Sequence, residues 1–378
     1  MKKYIKYIIT ICFVLTYVFI ITSCQNINQN QTNNNNAEKQ SSFTLAMTGD
    51  ALIHGFIHDE AKKDDLNYYK MLEPIESEIK KYDVAFYNQE ATLGGKELGL
   101  WGYPRFNSPY EFGDTMIRLG FNLVSLANNH TFDWGEQAIY NSYKYWEVQD
   151  NVMTAGSYLS EEQRIEPKIN TINDISYTML AYTWFSNVKP LPEGKEYLVN
   201  MYSRKKAKED IKRLRDKVDV IIVSIHTGKE SHHEPTKRQF RIAKDLAKYG
   251  ADIVIGHHAH VVQPVDIINN TVVFYGLGNM ISSNIKENWR IGLLGSLKIE
   301  KNIINGESSI NIRDVKGQLL WIGFIDEKDR NYRHNFKVYP FSKLNDEILP
   351  DYKMIQTKYN SIITSLNDSI LVDNPRLQ

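Results

Sequence analysis

The sequence predicts a layered α/β fold. Three observations carry it: short β-branched runs such as VDVIIVSI (218–225) and ADIVIG (251–256), helical stretches between them, and a polar cluster just after each run. Runs that are apolar on both faces suit strands in the middle of a sheet, and their alternation with helices puts that sheet between helical layers. With 378 residues, 42% of them hydrophobic and 12% aromatic, the chain has enough apolar surface for a sizeable core.

The elements follow in order. FTLAM (43–47) reads as a buried strand ending in Thr48-Gly49-Asp50, and a helical stretch at 68–81 leads to the strand DVAFYN (83–88). Residues 110–119 read as helix, FNLVSLA (121–127) as strand and 135–148 as helix. A basic amphipathic helix at 204–217 feeds the run at 218–225, a helix at 237–249 feeds 251–256, and TVVFYG (271–276) closes the series. Beyond residue 290, GLLGSLKIE, SSINIRDV and QLLWIGFI read as antiparallel strands that add edge strands or a second sheet, with a weak helix at 345–366. No internal repeat and no Pro- or Gly-rich linker divides the body. The expected organisation is a main domain over 43–300 and a β-rich extension with a C-terminal helix over 301–378.

The amino terminus reads as targeting. Lys2, Lys3 and Lys6 precede an apolar stretch, Tyr7–Thr22, that is shorter than the roughly 20 residues of a spanning helix. It ends in Ile21-Thr22-Ser23-Cys24, which resembles a bacterial lipobox. Residues 1–23 are then a cleaved signal peptide and Cys24 the lipidated first residue of an extracytoplasmic protein; the alternative is an uncleaved membrane anchor. Residues 24–42, dominated by Asn and Gln, form the expected disordered tether to the membrane.

Composition narrows the chemistry. Forty-five cations against 45 anions exclude a strongly basic nucleic-acid binder. Both cysteines, Cys12 and Cys24, lie in the targeting segment, so the folded body has no disulfide framework, no thiolate-held zinc and no thiol nucleophile. Five polar clusters follow successive strands: Asp50 with His54; Asn88-Gln89-Glu90; Asn128-Asn129-His130 with Asp133; His226 with Glu230; and His257-His258-Ala259-His260. Nine of the ten histidines fall between His54 and His260. Taken singly, each cluster reads as well as a turn or a capped loop. Together they converge at the carboxyl ends of the strands, where open α/β sheets bind ligands. A carboxylate, amide and imidazole set suits one or two divalent transition ions, Mn, Zn or Fe.

Strand-GD, NQE, LANNHTFDWG, IHTGKE, GADIVIGHHAHVVQPV and YGLGNM, in that order over residues 43–283, resemble the CapA family of poly-γ-glutamate capsule biosynthesis proteins. That family's domain is similar to calcineurin-like metallophosphoesterases. The resemblance implies a four-layer α/β/β/α sandwich with Asp50, Glu90, Asn129, His226, His258 and His260 as metal ligands. It also implies His130, with Asp133, as the catalytic acid, and His257 beside the shell. Unlike calcineurin-like enzymes, the chain has no Asp-x-His at the first strand, since Ala51-Leu52 follow Asp50. His54 is then a substitute ligand or a residue behind the shell, and one tight ion with a weaker second is expected. Glu230 is expected near substrate, and so is Arg105, whose planar fork suits a carboxylate or phosphate. Its loop, ELGLWGYPRFNSP (97–109), is either a lid or ordinary surface packing. Two functions follow: a membrane-anchored accessory of anionic-polymer synthesis or export beside a membrane-embedded synthetase, or a metal-dependent hydrolase of phosphoesters or, less readily, amides.

Overall fold

The structure, a computed structural model, describes residues 39–373. The signal segment, Cys24 and the tether up to residue 38 lie outside the described residues. The last tether residues, 39–42, are instead the start of strand β1 (Lys39–Ala51). Main-chain pairing extends a strand without asking for apolar side chains, so composition placed its start too late.

Two sheets form the body, Ser41–Lys301 with Ile310–Gln378. The first contains β1, β2 (Val84–Asn88), β3 (Leu123–Ser125) and β4 (Met153–Ala155), all parallel. The second runs from β5 (Ile169–Ile172) and β6 (Ile175–Thr183) through β7 (Val220–His226) and β8 (Ile253–His257). It is completed by β9 (Val265–Ile268) and β10 (Thr271–Phe274), in the order β5-β6-β7-β8-β10-β9. Its centre is parallel, and β5 and β9 are antiparallel edges. The chain then returns to the first sheet with β11 (Asn279–Ile281), β12 (Ile291–Ile304), β13 (Glu307–Glu327), β14 (Tyr332–Pro340) and β15 (Leu371–Val372). That sheet reads β14-β13-β12-β1-β2-β3-β4, with β11 beside β1 and β15 beside β13.

Alternation along each strand builds the layers. On β7, Val220 and Ile222 join Met47, Phe86 and Ile255 in the core between the sheets, while Ile221 and Val223 face the other way. The outward face of the second sheet is covered by α6 (Arg204–Leu214) and α7 (Lys237–Tyr249), through Ile211, Ile242 and Leu246. The first sheet's outer face is covered by α1 (Gly55–Lys62), α2 (Tyr69–Ile79), α3 (Tyr110–Leu119) and α4 (Gly135–Glu147). A short α5 (Glu161–Ile165), α8 (Glu287–Arg290) and α9 (Tyr352–Ile363) complete the helices. The result is the four-layer α/β/β/α sandwich. Local chemistry sets the helix ends: on α7, Thr236 Oγ1 accepts from Gln239 N while Gln239 Oε1 accepts from Thr236 N, and Gly250 at φ 109° stops the helix.

Several expectations change. SSINIRDV and QLLWIGFI are one continuous strand, β13, because Asp314 at φ 53° bends the strand without ending it. Of the two alternatives for the C-terminal runs, edge strands or a second sheet, the structure has the first: β12 lies beside β1, and β13 and β14 follow it at that side of the first sheet. The β5–β6 hairpin and β14 were not foreseen from the sequence; the hairpin's signal was Asn173-Asp174, both at positive φ. Among the described residues no helix is long and apolar enough to cross a membrane.

Candidate metal centre

The carboxyl ends of β1, β2, β3, β7 and β8 meet between the two sheets. Register does much of this, pairing Asp50 with Asn88, Asn88 with Ser125, and His226 with His257. Between Met47 and Asp50 the β1–β2 register shifts, a bulge that re-aims Asp50. Gly49 permits it: a Cβ there would lie 1.9 Å from the Gly278 carbonyl oxygen, and the adjacent Asp50 N–H donates to that oxygen at 2.9 Å.

Asp50 is buried and crowded by donors. Asn88 Nδ2 donates to its Oδ1 at 2.8 Å, His260 Nδ1 lies 3.0 Å from Oδ2 and His257 Nδ1 3.2 Å from Oδ1. Burial opposes its charge, but the His257 and His260 rings outweigh burial and hold the carboxyl well below the ordinary range. For His260 burial again opposes the charge, and Glu90 and Asp50 overcome it, raising the imidazole to about 9. Burial and the neighbouring His260 push His258 down to about 3, and His226 is held well below its usual value mainly by burial.

Glu90 is the anomaly. It is fully buried and neither carboxylate oxygen has a hydrogen-bond donor; the nearest rings are His226 Nε2 at 3.5 Å and His260 Nε2 at 3.7 Å from Oε1. Burial, then the negative charge of Asp50, pushes its carboxyl well above the normal range. A buried carboxylate with no donor is costly unless a cation completes it. The chain has the partners for one. Ligand atoms of Asp50, Glu90 and His226 lie within 4.8 Å of one another, and so do those of Glu230, His258 and His260. Asn129 Oδ1 is 2.7 Å from His226 Nε2, at the edge of the first group. His258 Nδ1 also lacks a partner, and His258 and His260 sit at φ 88° and 55°, a strained backbone held where two imidazoles must converge. This donor set fits divalent metal in either group.

His130 stands beside the cluster. Its Nδ1 is 2.7 Å from Asp133 Oδ2, which also accepts from Phe106 N at 2.8 Å, and the Phe106 ring packs edge-on 4.7 Å away. A cavity of about 690 Å³ opens here, lined by His54, Phe106, His130, Glu230, His260 and Trp289 among others.

The sequence-predicted residues fall out unevenly. Asp50, Glu90, Asn129, His130, Asp133, His226, His257, His258 and His260 are brought together and buried. Glu230, expected near substrate, lines the cavity, and the loop after β7 also brings its exposed carboxylate within 4.8 Å of ligand atoms of His258 and His260. His54 joins neither group; its Nδ1 lies 3.0 Å from the Leu52 carbonyl oxygen and 3.3 Å from Ser283 N, and its ring lines the cavity. Arg105 is exposed and does not line the cavity, since the loop turns Phe106 inward instead. Sequence reasoning passed over Asn279, whose Oδ1 lies 3.0 Å from His260 Nδ1, although YGLGNM signalled it. It also passed over Asn187 beside His130 and Arg333 on the cavity wall, for which the sequence carries no local signal.

A four-layer α/β/β/α sandwich with carboxylate, amide and imidazole groups gathered at its strand ends is the frame of a candidate metal-binding protein. The sequence profile of the family described as "Bacterial capsule synthesis protein PGA_cap" matches residues 44–284. The chain belongs to that family. It is 30% identical over 193 residues to "PGA biosynthesis protein CapA" of Bacillus subtilis (strain 168), covering 49% of this chain and 48% of that protein. To "Capsule biosynthesis protein CapA" of Bacillus anthracis it is 30% identical over 172 residues, 43% and 40% of the two chains. The matched part therefore spans about half or less of these curated relatives. The solved structure of TT1561 from Thermus thermophilus overlaps 72% of this chain and 99% of its own, at 9% identity and a TM-score of 0.39.

Proposed function

We propose that the chain acts in poly-γ-glutamate biosynthesis or export from outside the cytoplasm, lipid-anchored at Cys24 beside a membrane-embedded synthetase, and handles the polymer at a metal centre. Family membership and the names of the two Bacillus relatives support the polymer. The observation that carries the metal is Glu90, buried without a donor between two imidazoles. Asp50, Glu90, Asn129 and His226 would hold one Mn, Zn or Fe ion, and Glu230, His258 and His260 a weaker second. When bound, such an ion polarises a substrate oxygen and activates water at neutral pH. The chain's own residues do the rest. Asp133 keeps a proton on His130 Nδ1, which leaves Nε2 as the atom that moves a proton. Phe106 and Phe185, packed edge-on to His130 and His258, exclude bulk water.

The His130–Asp133 pair also favours a second reading, a metal-dependent hydrolase of phosphoesters with no capsule role. Two measurements test both. Elemental analysis of the full chain, purified in detergent without chelator, is expected to find one or two equivalents of transition metal, lost in Asp50→Ala and His258→Ala; metal retained in both variants removes the proposed shell. Deleting the gene is expected to abolish surface γ-linked glutamate polymer. An unchanged polymer, together with metal-dependent cleavage of a phosphodiester that His130→Ala loses, leaves the hydrolase.

A further inference from the structure

The cavity beside the metal centre has a wall that the family match does not reach. That wall is Arg333 on β14 and Lys286 just before α8, both beyond residue 284, where the profile match ends. Arg333 is half-buried and its guanidinium is fixed on three sides. Nε donates to Asp326 Oδ1 at 3.1 Å, Nη1 donates to the Ser283 carbonyl at 2.9 Å, and the Phe56 ring lies 4.9 Å away. Among the described residues, neither its Nη2 nor Lys286 Nζ has a hydrogen-bonding or ion-pairing partner. Two acids also line the cavity: Asp59, which pairs with Lys62 at 3.1 Å, and the exposed Glu230, which stands beside His258 and His260. A fixed guanidinium and an exposed ammonium thus line a cavity of about 690 Å³, within the range that encloses a small-molecule-sized segment. Its other lining is mixed: Phe56, Phe106, Ile285 and Trp289 supply apolar surface, and His54, Asp59, His130, Glu230 and His260 supply polar groups.

We propose that Arg333 and Lys286 bind a side carboxylate of an extended anionic polyamide, while the aliphatic spacer of the same unit lies along Phe56 and Trp289. The chain would then be read at a point set away from His130 and His260, and β14 would determine specificity. A planar carboxylate suits a guanidinium whose plane is already fixed, because little order remains to be imposed on binding. This inference rests on the polymer reading above.

The test is calorimetric binding of a γ-linked glutamate hexamer to the full chain, against its side-chain amide counterpart and against inorganic phosphate. Arg333→Gln is expected to weaken hexamer binding about tenfold and to erase its preference over the amide, with Arg333→Lys recovering part of it. Arg333 also ties Ser283 to Asp326, so Lys286→Gln, which removes no side-chain bond among the described residues, serves as the second variant and is expected to lose several-fold. Metal content should be unchanged in all three. Equal hexamer binding by wild type and both Gln variants overturns the carboxylate wall and leaves the polymer reading intact. No hexamer binding by wild type overturns the polymer reading and the wall with it. Arg333-dependent binding of phosphate alone overturns the carboxylate assignment.

Discussion

Glu90 shows how much a single side chain reveals once its surroundings are known. Its two oxygens are buried without donors, so in metal-free protein it should act against folding. We expect Glu90→Gln to raise the melting temperature of chelator-treated protein and to lower the metal bound by untreated protein; a lower melting temperature under chelation would count against a cation-binding role. His58 makes a different point. It is buried on α1, its Nδ1 lies 2.7 Å from the Tyr68 hydroxyl, and burial, aided by Lys62, pushes it down to about 4. An unfolded histidine titrates near 6.5. Between about 6.5 and 4 the unfolded chain therefore binds the extra proton, and the fold loses stability as pH falls through that window. The part due to His58 reaches at most about 3 kcal/mol. Melting curves from pH 7 to 4.5 should be flatter in His58→Asn, and an unchanged slope would rule this residue out as the source. The Glu90 cluster is visible in the sequence, but the burial of its oxygens without donors is not, and nothing in the sequence marks His58 as a buried histidine.

Among the elements, the strand-end clusters were readable and the contacts that aim them were not. GD, NQE, NNH and HHAH each sit where a strand stops, and the structure places each at the centre. Their aim depends on the β1 bulge and on the approach of Gly49 to Gly278, which join residues far apart in the chain. Gly49→Ala would force a Cβ against a backbone carbonyl that cannot yield, and we expect it to destabilise by about 3 kcal/mol or more in urea unfolding. A loss below about 1 kcal/mol would mean that the Gly278 loop moves aside freely. The helices α3 and α7 came out with their predicted ends because Gly120 and Gly250 mark their stops locally. The β5–β6 hairpin was missed because its amphipathic edge strand, Ile169–Ile172, is mostly exposed and lacks an apolar run.

For the molecule as a whole, the family match ends at residue 284 but the fold does not. β12 lies between β1 and β13, and α9 buries Ile355, Tyr359 and Ile363 in the core between the sheets. We expect a chain ending at Lys301 to lose cooperative unfolding, because β12 would present an unpaired edge and the core would lose its cover. A sharp melting transition in that truncation would show the main domain to be autonomous. The extension also carries Arg333 to the cavity, so it takes part in the site as well as in stability.

The sequence by itself determined the α/β class, the central strands and most of the residues gathered at the strand ends, because strands with both faces buried and polar residues at their ends are local patterns. Only the tertiary structure decided that the C-terminal strands complete the first sheet, that Glu230 rather than His54 stands within reach of His258 and His260, and that Arg333 rather than Arg105 reaches the cavity. Those outcomes depend on contacts between residues far apart in the chain, such as Arg333 against Phe56, 277 positions away, and no local pattern records which distant segment a strand edge or a loop will meet.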